Sequence, residues 1–325
     1  MIEAKEIINW LGGPVSHVHL RNEDQPAVFD IGEKHQFTTE AAVYYLENLT
    51  KNPDTRITDT NHALLDFDIE NIPKPEGLTD EQWKSFTIDL ASQSVSEKLK
   101  ALRQNPESSR IIAGIEVDII GENGELSLDD GCLSGLDLVI ASFHSFVREF
   151  FTGEKYYTKQ YLMNAYMGAV LNPHVDALGH PTKLSSRVAD TIFVEDYLLL
   201  LDLMAQRKVA MEINLFEDLE SQENSLTLNV VSEAVRRGVP LILSSDFHHF
   251  EESDFAKDTN VYPGVVNKHN FEEVFRNNQD FHFRLFRRLA KNINTLNKIG
   301  VTPELIVNSS NENFDRWQNE KRVVA

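Results

Sequence analysis

The sequence predicts a closed, parallel α/β barrel in a single domain. Apolar, β-branched runs alternate with helical patterns along most of the chain, the order of a parallel sheet buried under helices. About seven such units fit the length, which suits a barrel better than an open sheet. No G-x-G-x-x-G follows any strand, which argues against a dinucleotide-binding sheet.

The elements follow in order. Val15-Ser16-His17-Val18-His19-Leu20 alternates with period two after the break Gly12-Gly13-Pro14 and reads as a first strand. Thr38 or Thr39 caps a helix to about Asn48, with Ala41, Ala42, Tyr45 and Leu46 on one side. Residues 55–58 form a second strand, and the acidic, Pro- and Gly-containing stretch 63–78 reads as an inserted loop. Thr79-Asp80-Glu81-Gln82 is a capping box opening a long helix to about Arg103. Strands are predicted at 110–119, 138–142 and 177–179, with a helix at 158–170 between the last two. Then come a helix at 192–205, a strand at 209–213, a helix at 228–237 closed by Gly238, and a last clear strand at 241–244. Residues 271–277 and 281–298 are helical, with Gly300 ending the second; 281–325 reads as a C-terminal helical extension. No internal repeat or low-complexity linker divides residues 1–325.

Composition narrows the function. The chain of 325 residues is 41% hydrophobic and 25% charged, the balance of an ordinary globular protein. Its formal charge of −20 disfavours nucleic acid and anionic membranes as partners, because phosphates would be repelled. The basic face Arg284, Arg287, Arg288 and Lys291 is too small to reverse that. The single cysteine, Cys132, excludes an intrachain disulfide. No apolar run approaches the roughly 20 residues that cross a bilayer, and the N-terminus lacks the pattern of a signal peptide. These features predict a cytoplasmic enzyme; they leave the oligomeric state open.

Most of the eleven histidines fall where a strand ends. In a parallel barrel those ends converge on one face, where active sites are built. His17 and His19 lie two apart on the first strand and share a side, a spacing that grips one ion. Glu116 ends an apolar run, His144 follows Val139-Ile140-Ala141-Ser142, and His180 follows Ala177-Leu178-Gly179. Asp246 and His248 follow Leu241-Ile242-Leu243-Ser244-Ser245. Imidazole mixed with carboxylate, and no thiolate, favours Zn, Mn or Fe. His174, just before a strand, is a candidate for orienting a ligand.

The order of these motifs resembles the polymerase-and-histidinol-phosphatase (PHP) superfamily of metal-dependent phosphoesterases, from His17 to about Asn308. His17-Val18-His19 is similar to its H-x-H motif. His35-Gln36-Phe37-Thr38-Thr39 has the spacing of its next ligand, with Asp24 as the rival position. Thr58-Asp59-Thr60-Asn61-His62 resembles its T-D-H segment with two residues inserted, making His62 a candidate. Gly114-Ile115-Glu116-Val117, Ser142-Phe143-His144 and Gly179-His180-Pro181 resemble its G-(I/V)-E, S-x-H and H-P elements. Met211-Glu212-Ile213-Asn214 resembles a strand whose Glu212 and Asn214 support the site. Ser244-Ser245-Asp246-Phe247-His248 resembles the closing S-D-x-H.

The resemblance implies a distorted (β/α)7 TIM-like barrel holding two to three divalent ions (Zn, Mn or Fe). Their ligands would be His17, His19, His35, His62, Glu116, His144, His180, Asp246 and His248. It implies hydrolysis of a phosphate ester by a hydroxide bridging the ions, with Glu116 and Asp246 catalytic. The leaving-group proton would come from Asp246, His249 or metal-bound water. The expected substrate is a small phosphomonoester such as histidinol phosphate, a nucleotide or a sugar phosphate. A phosphodiesterase or exonuclease, and a non-hydrolytic metal-binding regulatory protein, are the alternatives. Arg148, four residues after His144, is the expected phosphate-binding catalytic cation, with Lys183 and Arg187 as further candidates. Residues 63–78 and 145–160 are candidate lids.

Overall fold

The computed structural model describes residues 76–104, 108–183, 187–215, 217–221, 225–247 and 279–324, with residues 10, 15–18, 56–60, 63, 74 and 273. Seven strands among them close into a parallel barrel in chain order. They are β1 (Val15–Val18), β2 (Ile57–Asp59), β3 (Ile111–Asp118), β4 (Leu138–Ser142), β5 (Ala177–Leu178), β6 (Ala210–Asn214) and β7 (Leu241–Phe247). Pairing of Ser16 with Ser244 joins β1 to β7 and closes the ring.

Helices cover the outside. They are α1 (Asp80–Gln104), α2 (Asp130–Leu133), α3 (Ser145–Thr152), α4 (Lys159–Leu171), α5 (Val194–Arg207), α6 (Ser225–Arg237), α7 (Gln279–Lys298) and α8 (Asn311–Val324). The expected helix at 38–48 and most of the 63–78 loop lie outside the described residues. The capping box of α1 forms as read: Gln82 N–H donates to Thr79 Oγ1 at 3.2 Å, and Thr79 N–H to Gln82 Oε1 at 2.9 Å. In α5, Tyr197, Leu200, Leu201 and Met204 make a buried stripe at helical spacing, as do Thr227, Val230, Val231 and Ala234 in α6.

Strand alternation sorts side chains into two cores. Ile115 and Val117 of β3 and Val139 and Ala141 of β4 join the large outer core beneath the helices. Ile112, Leu138, Ile140, Ala177, Ala210 and Ile242 face the other way and form a separate cluster with Val307, Phe314 and Trp317. That cluster is the floor of the barrel. Each isoleucine, leucine or valine side chain there contributes roughly 1.5–3 kcal/mol by leaving water.

The segment after α7 therefore does more than extend the chain. Val307 N–H donates to Leu241 O at 2.8 Å, and Asn308 exchanges side-chain hydrogen bonds with both backbone groups of Leu243. α8 then supplies Phe314 and Trp317 to the floor and places Lys321 under β5.

Two expectations change. Strand β7 runs three residues beyond the predicted end, so Asp246 lies within it rather than after it. Residues 145–152, expected in a lid, form the amphipathic helix α3, which buries Val147 and ends at Gly153 with φ 69°.

Candidate metal centre

Because every strand is parallel, the C-terminal ends of β3 to β7 share one end of the barrel. On β3, the period-two register that points Ile112 into the floor also points Glu116 and Asp118 inward, higher up. Glu116 pairs in register with Ile140, and Asp118 with Ser142. Both carboxylates are fully buried.

His144 follows β4 and caps the start of α3; His180 follows β5. Glu116, His144 and His180 bring one ligand atom each within 4.8 Å of one another. His180 Nε2 lies 3.1 Å from Glu116 Oε1, and His144 Nε2 lies 3.6 Å from the same oxygen. The two rings tilt at 53° with centroids 5.3 Å apart.

Neighbouring groups hold the backbone of His180 and the ring of His144. His180 takes a left-handed backbone, φ 32°, which strains a residue with a β-carbon. Its backbone N–H donates to Glu212 Oε2 at 2.7 Å, and the Tyr197 hydroxyl donates to the Pro181 carbonyl at 2.9 Å. Burial pushes the Tyr197 phenol well above its ordinary range, so it stays a donor. His144 Nδ1 lies 2.8 Å from Asp118 Oδ1. Beside it, Phe143 packs edge-on against Tyr157, with ring centroids 4.9 Å apart.

This donor set fits a divalent ion. Two imidazole nitrogens and a buried carboxylate are the mixture that Zn, Mn or Fe takes. Asp118 Oδ2 is buried without a hydrogen-bond partner among the described residues, a costly state for a carboxylate unless positive charge is close.

Of the other expected ligands, His17 and Asp246 lie in strands β1 and β7. His19, Asp24, His35, His62, His248 and His249 lie outside the described residues. Arg148 is a correction. Its guanidinium is buried 4.4 Å over the Tyr161 ring, ion-paired with Glu154, and donates to the Glu154 carbonyl at 2.5 Å. It ties α3 to the segment that follows rather than presenting a cation to a substrate. Lys183 pairs with Glu217 at 3.4 Å and Arg187 with Glu149 at 2.7 Å. His174 precedes β5, at the opposite end of the strand from the site; the group that contacts a candidate ligand's ring is Asp118. Sequence reasoning missed Asp118, although its spacing from Glu116 placed both on one face.

No family model matches the chain. It is 30% identical over 173 residues to the DNA polymerase/3'-5' exonuclease PolX of Bacillus subtilis, covering 53% of this chain and 28% of that protein. It is 32% identical over 152 residues to a probable phosphatase of Thermoanaerobacter sp. strain X514, covering 46% of this chain and 57% of that one. The chain thus spans less than two thirds of either relative's length. A solved histidinol phosphate phosphatase from Lactococcus lactis, complexed with zinc, L-histidinol and phosphate, aligns over 89% of this chain and 94% of that one, at 13% identity and TM-score 0.44. The chain is thus similar in sequence to a DNA polymerase/3'-5' exonuclease and to a probable phosphatase, a likeness that agrees with the phosphoesterase superfamily its strand-end motifs resemble.

Proposed function

We propose that this protein is a metal-dependent phosphoesterase acting on a small phosphomonoester of the histidinol phosphate, nucleotide or sugar phosphate kind. The convergence of Glu116, His144 and His180 at the C-terminal end of the barrel carries the reading. Two to three divalent ions (Zn, Mn or Fe) would be held by these three residues with His17, His19, His35, His62, Asp246 and His248. Bound there, the ions supply Lewis acidity: they acidify water and withdraw charge from a phosphoryl oxygen. Glu116 brings a buried carboxylate, two residues from that of Asp118, that would draw cations into the barrel. His144 and His180 offer nitrogen lone pairs, and Glu212 keeps His180 in place through its backbone. Asp246 and His249 are the chain's own candidates for protonating the leaving oxygen.

We take residues 1–325 as one distorted (β/α)7 unit. In it, 281–325 is a helical extension. A cytoplasmic setting fits this reading; no described helix is long and apolar enough to cross a membrane.

A second reading, hydrolysis of phosphodiesters, is favoured by the relative named as a 3'-5' exonuclease. The charge of −20 weighs against a long polyanionic substrate.

The test is elemental analysis of protein purified without chelator or metal-affinity tag, then assays on mononucleotides, sugar phosphates, histidinol phosphate and a short oligonucleotide. Two to three equivalents of Zn, Mn or Fe with monoester turnover supports the proposal. Oligonucleotide cleavage alone moves it to the diesterase reading. Bound metal without turnover on any substrate leaves a metal-binding regulatory protein, and absence of metal after incubation with Mn and Zn overturns it.

A further inference from the structure

We infer that Asp118 is a positioning residue that sets the tautomer of His144 and so prepares Nε2 as a metal ligand. Asp118 Oδ1 lies 2.8 Å from His144 Nδ1. Two heavy atoms at that distance share a proton, and an ionised carboxylate can only accept, so the hydrogen sits on Nδ1. In the neutral ring, Nε2 then carries the lone pair. It faces Glu116 Oε1 at 3.6 Å, beyond hydrogen-bond reach. Two acceptor atoms facing each other at that separation are arranged for a cation rather than for each other.

The backbone that carries the carboxylate is itself fastened. Asp118 N–H donates to Ser127 Oγ at 3.0 Å, and the Asp118 carbonyl accepts from Ser127 N–H at 3.0 Å. On the other side the strand pairs Asp118 with Ser142, two residues before His144. Backbone and partner therefore move together. The aspartate is fully buried.

The geometry stands by itself; its consequence for metal rests on the proposed function. The experiment separates the two. Nitrogen-15 NMR of imidazoles in the metal-free protein, with His144 assigned by its loss in His144→Gln, reads the tautomer without any metal. Nδ1–H is expected in the wild type and its loss in Asp118→Ala. Zinc affinity, by competition with a chromophoric chelator, is expected to fall about 10–100-fold in Asp118→Asn and Asp118→Ala. The melting temperature of the metal-free variants checks that they fold.

An Nε2–H tautomer in the wild type overturns the inference, and needs no variant. So does unchanged zinc affinity in folded variants of a wild type that binds zinc. If the wild type shows an Asp118-dependent Nδ1–H tautomer but takes up no metal, the positioning holds and the phosphoesterase reading fails.

Discussion

The ammonium of Lys321 lies 3.0 Å from the carboxylate of Asp176, beneath the floor of the barrel. Asp176 also accepts the Val139 N–H at 2.8 Å, and Lys321 donates to the Pro173 carbonyl at 3.0 Å. The pair fastens α8 to the N-terminal ends of β4 and β5. Burial raises the Asp176 carboxyl above its ordinary value, and Lys321 and the Val139 amide pull it partly back. Between the ordinary and the raised value the native state holds a proton that the unfolded chain has released, so stability falls as pH rises through that window. Lys321→Met removes the largest downward pull and extends the window upward. The variant should lose about 3–5 kcal/mol above the window, because an unpaired carboxylate is left buried. At about pH 5 it should lose less than at about pH 8. Urea unfolding at both values checks this; an equal loss at both would contradict it.

Gly179 passes so close to Ser142 that a β-carbon there would sit 2.0 Å from the Ser142 Oγ and 3.0 Å from Ile140 Cγ2. Gly179→Ala must therefore displace a buried side chain beside the strand that carries His144, and shift the turn that carries His180. A stability loss of about 1–3 kcal/mol is expected, together with weaker zinc binding. Combining it with Ser142→Ala removes the closest contact and should recover part of both losses. Thermal melts and zinc titration of the single and double variants measure that coupling; strict additivity would mean the clash lies elsewhere.

These contacts show what a sequence exposes and what it conceals. Glu116, His144 and His180 were legible because each ends an apolar run, and a parallel barrel gathers such ends whatever the loops do. The capping box of α1 was legible because Thr79 and Gln82 need only each other. Asp118 was visible in principle, two residues beyond Glu116 on the same face, but it belongs to no motif. Arg148 misled because a cation four residues after His144 reads as a ligand for phosphate. Its partners Glu154 and Tyr161 are set by how α3 and α4 pack, which local pattern does not encode. Lys321 and Asp176 are joined only once the floor is assembled.

Arg148→Met tests that correction. The variant loses hydrogen bonds to the carbonyls of Glu154 and Tyr156 and the stacking on Tyr161. Glu154 is largely exposed and can return to water, so the loss should be moderate, about 1–3 kcal/mol. The KM for a phosphomonoester should stay within about twofold of wild type. A tenfold rise in KM with an unchanged melting temperature would return Arg148 to the substrate.

Glu116→Gln separates the charge of the site from its shape. The amide fills nearly the same volume in the fully buried position, so the barrel should still assemble. The metal-free variant should melt close to metal-free wild type, because the amide still offers a hydrogen-bonding partner to His180 Nε2, which lies 3.1 Å from Glu116 Oε1. Binding should differ sharply. A neutral amide oxygen is a poor ligand beside the two imidazoles of His144 and His180, so at least one ion and phosphoesterase turnover should be lost. Zinc at 100 times its dissociation constant stabilises a binding protein by about 2.7 kcal/mol. That upward shift in melting temperature should appear in wild type and shrink or vanish in the variant. Wild-type metal content and an undiminished zinc shift in Glu116→Gln would remove Glu116 from the centre.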